Sequence, residues 1–576
     1  MDIDKRDLLT IIALSIVFFS IAVWNLGLLQ SPVTTWQTSE NQSFYIDLGQ
    51  IESVDSVYLL VKNGSASVQA YSGSPESWTL GESLSITWPY DYYSWSKIAV
   101  SDSTRYVRFI FENASVEVAE VAVLSQDYQK IPVIAVTGEN DSSSDLPRLN
   151  DEQSLVECPP TYLSETFFDE VYYVRTAENY LKLQYPYEWT HPPLGKLIIS
   201  LGIVTFGYNP FGWRIMGVLF ATLMLPLIYL LGKKLFGTWI GAFASTFLLT
   251  FDFMHFTMAR MATVDTYVVF FSLATQLFFL IYVKDVVKKG WSASIVPLVL
   301  GFVFFALSFS TKWLVLYGFV GLIVFLLILR LREVREIKEG LSKRLNAILD
   351  YPFYWLPLLL LIAVFIYFLT FIPDMLAGRS IIDVLGLQGS MFVYHSTLTA
   401  THPFSSAWWS WPIMQRPVWL YVSYLPLNIK STITLLGNPA VWWVGFASVI
   451  IVALRAIPSR YLKKIPRVSG LLAKADVKLD MAALFIAIVF FFQWIPYVFI
   501  SRITFIYHYY VSVPFLCLAS AYLINKYWNR KLGKVIAVCF FAVVVFLFAL
   551  FYPVISGAPS SATSIESLKW FGSWVF

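Results

Sequence analysis

Hydrophobicity along the chain falls into three regimes. The first is an apolar run, Leu8–Leu29, long enough to cross a bilayer, which takes roughly 20 residues; it is read as a retained first span, not a cleaved leader. From 31 to 128 the pattern takes a period of two, in SFYIDLG (43–49), SVYLLVK (56–62), SASVQAY (65–71), RYVRFIF (105–111) and SVEVAEVAVL (115–124). With Asn63-Gly64 and Ser72-Gly73-Ser74-Pro75 as turns between such runs, this stretch is predicted to be a β-sandwich. A polar linker (140–153) follows it. The third regime is a series of long apolar stretches, near 213–232, 238–255, 264–283, 292–310, 313–331, 353–372, 440–457, 481–499, 508–525 and 534–552, which bring the expected spans to eleven. Segment 194–208 is apolar but short and ends in Gly207-Tyr208-Asn209-Pro210, so it is predicted to lie at the membrane interface.

Composition agrees with a polytopic α-helical membrane protein: 57% of the 576 residues are hydrophobic and only 14% are charged. Three cysteines, Cys158, Cys517 and Cys539, give neither a disulfide framework nor a metal cluster. The placement of charge is more informative than its net value. With the N-terminus inside, the inner loops carry Lys5, Arg6, Lys233, Lys234, Lys284, Lys288, Lys289, the Arg330–Arg344 and Arg455–Lys478 clusters and Lys526–Lys534. The outer loops carry few basic residues, and an odd number of spans then puts the β domain and the C-terminal tail outside. The expected organisation is a first span (1–30), a β-sandwich (31–139), a linker and catalytic outer loop (140–212), a transmembrane core (213–552) and an outer tail (553–576). Four Asn-x-Ser sequons, at Asn41, Asn63, Asn113 and Asn140, lie in the outer segment and are acceptors wherever N-glycans are made.

This topology gathers polar residues at one face. All five histidines (His191, His255, His395, His402, His508) and the acids Asp169, Asp252 and Asp265 fall at or near the outer ends of spans, where ionisable residues are costly and mark a working site. The centre of this face is FFDEVYYVRTAENYLKLQYPYEWTHPPLGK (167–196): adjacent acids Asp169 and Glu170, a short helical pattern from Val171 to Leu183, an aromatic turn, and a double proline barring helix until Leu194, with His191 and Lys196 flanking that corner. Taken alone, an Asp-Glu pair reads as solvated surface charge, and single tryptophans read as an interfacial belt. Further polar phrases at the same face change that weighting. They are FDFMHFTMARMATVDTY (251–267), with Arg260 and Asp265; FALSFSTKWLVLY (305–317), with Lys312; the loop phrase YHSTLTATHPFSSAWWSWPIMQRPVW (394–419), with His395 and His402; and RITFIYHYYVSVPF (502–515), with Arg502 and His508.

In these phrases, taken in order from about 160 to 525, the chain resembles the protein O-mannosyltransferase family, polyprenyl-phosphate-sugar-dependent enzymes of the GT-C class. The matching residues are FFDE, THPPLGK, WRIMG…LPLIYLL, MARMATVDTY, STKW, YHSTL…THPFSSAWWSWP, GNPAVWW and RITFIYHYY. There are two departures. Asp-Glu is followed by Val171-Tyr172-Tyr173 where the family has a residue and then His-Phe, and a β-sandwich resembling discoidin-like carbohydrate-binding domains precedes the motif in place of a lumenal repeat domain. Bacterial and archaeal members are therefore the nearer comparison. Such a sandwich serves either as a glycan binder or as a structural cap.

The resemblance implies inverting transfer of mannose from a polyprenyl phosphate to Ser or Thr of an exported protein, by single displacement. It assigns the base to the Asp169-Glu170 pair, with Asp169 favoured and Glu170 on sugar or acceptor. It makes Arg214 the phosphate-side arginine, with Arg260 and Arg502 as second choices. Asp265, His191, Lys196, Lys312, His395, His402 and His508 complete the expected donor-binding set. The chemistry agrees: a carboxylate in a partly dry cavity serves as base, and arginine grips phosphate bidentately. No cofactor and no metal are expected, since no HExxH or i, i+4 histidine spacing is present. Expected partners are the lipid-linked sugar, an exported protein, membrane lipid and a second subunit in a homo- or hetero-dimer, with no nucleic acid. The expected location is a prokaryotic plasma membrane. Alternatives are transfer of another sugar to a lipid or cell-wall polymer, a non-catalytic glycan-binding scaffold, and a transporter; internal repeats and midplane charges, which mark transporters, are not found.

Overall fold

The computed structural model describes residues 3–38, 41–88, 90–140, 144–289, 293–337, 340–343, 355–457 and 480–576. The basic run 460–478 used for the orientation lies outside them. Helix α1 (Lys5–Val23) is followed by a β domain of strands β1 (Trp36–Thr38), β2 (Gln42–Ser74), β3 (Ser77–Ile86), β4 (Ser94–Ser125), β5 (Lys130–Ile131) and β6 (Ala135–Gly138). The two long strands each pair twice. Residues 54–61 of β2 lie between 94–102 and 118–125 of β4, while 106–111 of β4 lies between 42–47 and 67–73 of β2. The sheet thus folds over itself around Trp36, Phe44, Val57, Val68, Val107 and Phe109, the inward members of the alternating runs. Ser74↔Ser77 closes a hairpin as expected. Asn63-Gly64 does not: the strand continues through it. Gly64 bends there with φ +105°, and a Cβ would stand 2.0 Å from the Ser115 carbonyl oxygen, so only glycine fits.

The catalytic-loop segment forms α2 (Glu170–Leu181) and α3 (Leu194–Phe206), the latter beginning at the residue that the double proline dictates. The membrane body consists of α4 (Pro210–Phe236), α5 (Trp239–Thr250), α6 (Phe253–Ala259), α7 (Asp265–Lys289), α8 (Val296–Phe309), α9 (Val315–Glu336), α10 (Leu356–Leu369), α11 (Ile381–Thr397), α12 (Pro439–Ala456), α13 (Met481–Trp494), α14 (Val513–Tyr527) and α15 (Lys531–Ser556). Among the described residues eight helices are long and apolar enough to cross a membrane, and α5 with α6 passes the same test as a pair but is bent by 59°, the form of a broken span or a re-entrant loop. The remaining two of the eleven expected spans are α8 and α10, apolar but of 14 residues each. At 1.5 Å per residue they reach about 21 Å, short of a hydrocarbon core of about 30 Å. Helix α3 has 13 residues and exposes Leu201, Val204 and Phe206, as an interfacial helix does. The chain is an integral membrane protein with a β domain on one face. A second, small sheet of β7 (Val418–Leu425), β8 (Ile429–Leu435) and β9 (Ser560–Ser561) joins the long loop before α12 to the segment after α15.

Candidate active site

The adjacent acids face different ways. Successive helical positions point about 100° apart, and Phe168, in the left-handed region at φ +51°, sets up the turn into α2. Glu170 is fully buried and receives Arg214 bidentately, Nε to Oε1 at 2.8 Å and Nη2 to Oε2 at 2.7 Å. The Ala262 amide donates to the same carboxylate at 2.8 Å. The other Arg214 N–H groups go to the carbonyls of Leu26 (3.1 Å), Tyr162 (2.8 Å) and Glu165 (2.7 Å). A guanidinium has five N–H donors, and all are taken. The expectation that Arg214 holds phosphate and Glu170 holds sugar or acceptor is therefore corrected: together they clamp the chain around the motif.

Arg260 and Lys196 are corrected as well, since backbone carbonyls and Glu188 already engage them. Arg260 donates to the carbonyls of Ala22 (2.9 Å), Trp24 (2.6 Å), Asn25 (2.8 Å) and Ser556 (3.2 Å), tying the end of α1 to the end of α15. Lys196 spends its three N–H groups on Glu188 Oε2 (2.8 Å), the Glu188 carbonyl (2.8 Å) and the His191 carbonyl (2.6 Å). Glu188, which the sequence reading passed over, is the hub of the Pro-Pro corner: it also holds His191 Nδ1 at 3.0 Å and the amides of Thr190 and His191 at 2.9 and 3.1 Å. Although burial raises its pKa, the charges of Lys196 and His191 hold Glu188 well below the ordinary carboxylate range. Gly195 belongs to the same packing, since a Cβ there would lie 2.6 Å from Val264.

Asp169 is free of these duties. It is partly buried, and its carboxyl is pushed up to about 7, first by burial and then by the charge of Asp265, with Lys312 pulling the other way. Asp265 and Lys312 form an ion pair at 2.8 Å. Beside them lies a cavity of about 380 Å³. Its polar wall is Thr190, His191, Lys312, His395, Arg502 and His508; its apolar wall is Phe309, Trp313, Leu314, Leu316, Tyr317 and Ile500. His191 and His395 lie with ring centroids 5.0 Å apart, and His395 Nε2 meets the Thr190 carbonyl at 2.8 Å. Burial lowers the pKa of both, with the Glu188 carboxylate opposing it at His191; that of His395 falls to about 4, so the His395 ring is neutral. His508 is stacked on Trp411 at 6.0 Å. Arg502 differs from the other cations: no hydrogen bond or ion pair engages it among the described residues.

The structure thus gathers Asp169, Asp265, Lys312, His191, His395, Arg502 and His508. It leaves His402 outside the cavity wall, where its Nδ1 accepts from the Phe404 amide at 3.2 Å. His255 and Asp252, grouped with the outer polar residues on sequence, are fully buried: His255 stacks on Phe18 at 4.7 Å and meets Tyr510 Oη at 2.7 Å, and Asp252 accepts from Trp442 Nε1 at 2.8 Å. Among the described residues no three His, Cys, Asp or Glu side chains converge as metal ligands. Tyr317 and Tyr497, in the wall beside Arg502, were missed because tyrosines in an apolar phrase carry no distinguishing signal; Glu188 had one, three residues before His191 and eight before Lys196.

Two family models match the chain. Residues 190–349 fit the model described as dolichyl-phosphate-mannose-protein mannosyltransferase, and 380–574 fit the C-terminal four-transmembrane region of protein O-mannosyltransferase. Among curated proteins, the polyprenol-phosphate-mannose–protein mannosyltransferase of Mycolicibacterium smegmatis is 24% identical over 440 residues, covering 67% of this chain and 81% of its own. The protein of the same name from Corynebacterium glutamicum is 26% identical over 456 residues, with the same coverage. Among solved structures, the Saccharomyces cerevisiae protein O-mannosyltransferase Pmt1-Pmt2 complex bound to the sugar donor superposes with TM-score 0.59 at 13% identity, covering 71% of this chain and 89% of that one, which shows a shared fold. With the two models together spanning more than half of its length and their motifs around one cavity, the chain belongs to the protein O-mannosyltransferase family.

Proposed function

We propose that the protein transfers mannose from a polyprenyl-phosphate carrier to Ser or Thr hydroxyls of exported proteins. The observation that carries this is a cavity with two unlike walls beside one uncommitted carboxylate. Its apolar wall reaches Leu316, which is 45% exposed on the outside of α9, a lining suited to the first units of a polyprenyl chain. Its polar wall offers Lys312 and the unengaged guanidinium of Arg502 to a phosphodiester. Asp169 removes the acceptor hydroxyl proton as the oxygen attacks the sugar C1. The bond from C1 to the phosphate oxygen breaks, and the charge developing on the phosphate is met by Arg502 and Lys312. Asp265 orients Lys312, and the neutral His395, whose Nε2–H is held by the Thr190 carbonyl, offers Nδ1 as an acceptor to a sugar hydroxyl. A single displacement inverts the anomeric centre, and no metal takes part.

The site faces the extracytoplasmic side of a prokaryotic plasma membrane, with the N-terminus cytoplasmic; the mycobacterial and corynebacterial relatives and the distribution of basic residues support this. The yeast neighbour is a complex, and a paired assembly is proposed for this chain too, to be read by native mass spectrometry in detergent. The test of function is transfer by purified protein from radiolabelled polyprenyl-phosphate mannose to a Ser/Thr-rich peptide in the presence of chelator. The product should be labile to β-elimination, with an anomeric configuration opposite to the donor's. Retained configuration, or loss of activity with chelator, contradicts the mechanism.

A further inference from the structure

The turn joining β3 to β4 is fastened to the catalytic segment. Thr166 donates through Oγ1 to the Tyr92 carbonyl at 2.6 Å and through its amide to the Tyr93 carbonyl at 3.0 Å. Glu165 accepts from the Trp95 amide at 2.9 Å. The buried Tyr92 hydroxyl meets Tyr208 Oη at 2.8 Å and donates to Glu178 of α2, while Lys62 pairs with Glu178 at 3.1 Å. On a turn pinned in this way, Trp88 and Tyr90 are nevertheless 50% and 63% exposed. Two large rings in the open offer a partner wide contact area with only two side-chain torsions each to order.

These rings continue toward the base. Trp88 meets Tyr187 edge-on at 5.6 Å, and Tyr187 stacks on Tyr172 at 6.2 Å with planes 10° apart. Tyr172 follows Asp169 by three residues, the spacing that places two side chains on one side of a helix. Arg175, one turn further, lies 4.3 Å from the Tyr187 centroid and 5.4 Å from that of Trp88. One of its terminal nitrogens is buried without a hydrogen-bond partner among the described residues. A buried N–H without an acceptor is costly, and a bound carbonyl would satisfy it.

We propose that Trp88, Tyr90, Tyr172, Arg175 and Tyr187 form the acceptor shelf, which holds an extended, proline-containing polypeptide segment beside the Ser or Thr presented to Asp169. This rests on the protein-acceptor reading above. The fit is chemical. An extended polyproline-type segment makes no internal hydrogen bonds, so its carbonyls are free for Arg175, and its prolines lie against aromatic rings as such segments do in aromatic-lined grooves. The β domain thereby supplies part of the acceptor site instead of serving as a cap.

The experiment uses the full-length protein in detergent and a fluorescein-labelled dodecapeptide of Ser, Thr, Ala and Pro. Peptide binding is read by fluorescence anisotropy and mannose transfer by radiolabel, for wild type, Trp88→Ala/Tyr90→Ala and Arg175→Gln. Loss of two exposed rings should weaken peptide binding and raise acceptor KM on the order of tenfold, with donor KM and melting temperature unchanged. Unchanged anisotropy binding in the double variant overturns the shelf, and so does a variant that binds peptide normally but loses only its association with lipid vesicles. Binding that weakens in the variants supports the shelf even where wild type transfers no mannose; that outcome contradicts the transfer reading alone.

Discussion

Replacement of Arg214 separates a clamp from a phosphate ligand. Arg214→Ala removes five hydrogen bonds and leaves the Glu170 carboxylate buried with only the amides of Ala262 (2.8 Å) and Phe167 (3.3 Å) donating to it. Breaking a fully buried pair on one side costs about 3–5 kcal/mol, because the remaining charge has no compensation. At 1.4 kcal/mol per factor of ten, the ratio of folded to unfolded protein falls by roughly a hundredfold to several thousandfold. That is a large share of a typical folding stability of about 5–15 kcal/mol. The expected result is a poorly expressed protein with a much lowered melting temperature by fluorescence-detected size exclusion. Surviving molecules should show reduced kcat, since the turn carrying Asp169 is no longer held, with donor KM unchanged. Replacing both partners, Glu170→Gln with Arg214→Met, should recover part of the stability, as removal of an entire buried pair is far milder than removal of half. An Arg214→Ala protein that melts like wild type and shows only a raised donor KM would refute this reasoning and restore the arginine to the phosphate.

The other site residues should respond differently. Arg502→Ala should leave the melting temperature unchanged and raise donor KM, with Arg502→Lys recovering only part because an ammonium cannot grip phosphate bidentately; steady-state kinetics in the donor concentration checks this. With the Asp169 carboxyl pushed up to about 7 and acting as base, kcat/KM should fall about tenfold per pH unit below that value and level off above it. A flat profile between pH 5 and about 7 removes Asp169 from the rate-determining proton transfer. Glu188→Gln should lower the melting temperature and disorder the Pro-Pro corner, since Lys196 is left with carbonyls alone; limited proteolysis between α2 and α3 would report it.

The helical spans, the alternating β segment and the Pro-Pro corner were legible because each is written locally, in a period or a rigid ring. The Arg214 clamp was not. Its acceptors come from Leu26, Tyr162 and Glu165, far from Arg214 in sequence, and carbonyl acceptors leave no trace in side-chain identity. An Asp-Glu pair likewise reads as two candidates for one site, and only the fold leaves Asp169 beside Asp265 and Lys312 and sends Glu170 to the interior. Asn63-Gly64 carries a turn signal that a long strand overrides with a bend. Asp265, Lys312, Arg502 and the histidines at 191, 395 and 508 could be singled out in the sequence because polar residues at the end of an apolar run stand out whatever their partners.

The most direct test of the central claim is single-turnover transfer from polyprenyl-phosphate mannose to a Ser/Thr peptide, wild type beside Asp169→Asn, with melting temperature recorded for both. Loss of a general base costs roughly 10²–10⁴-fold in rate. The account predicts a loss of that size with the fold intact and donor binding retained. Equal rates for the two proteins would contradict it.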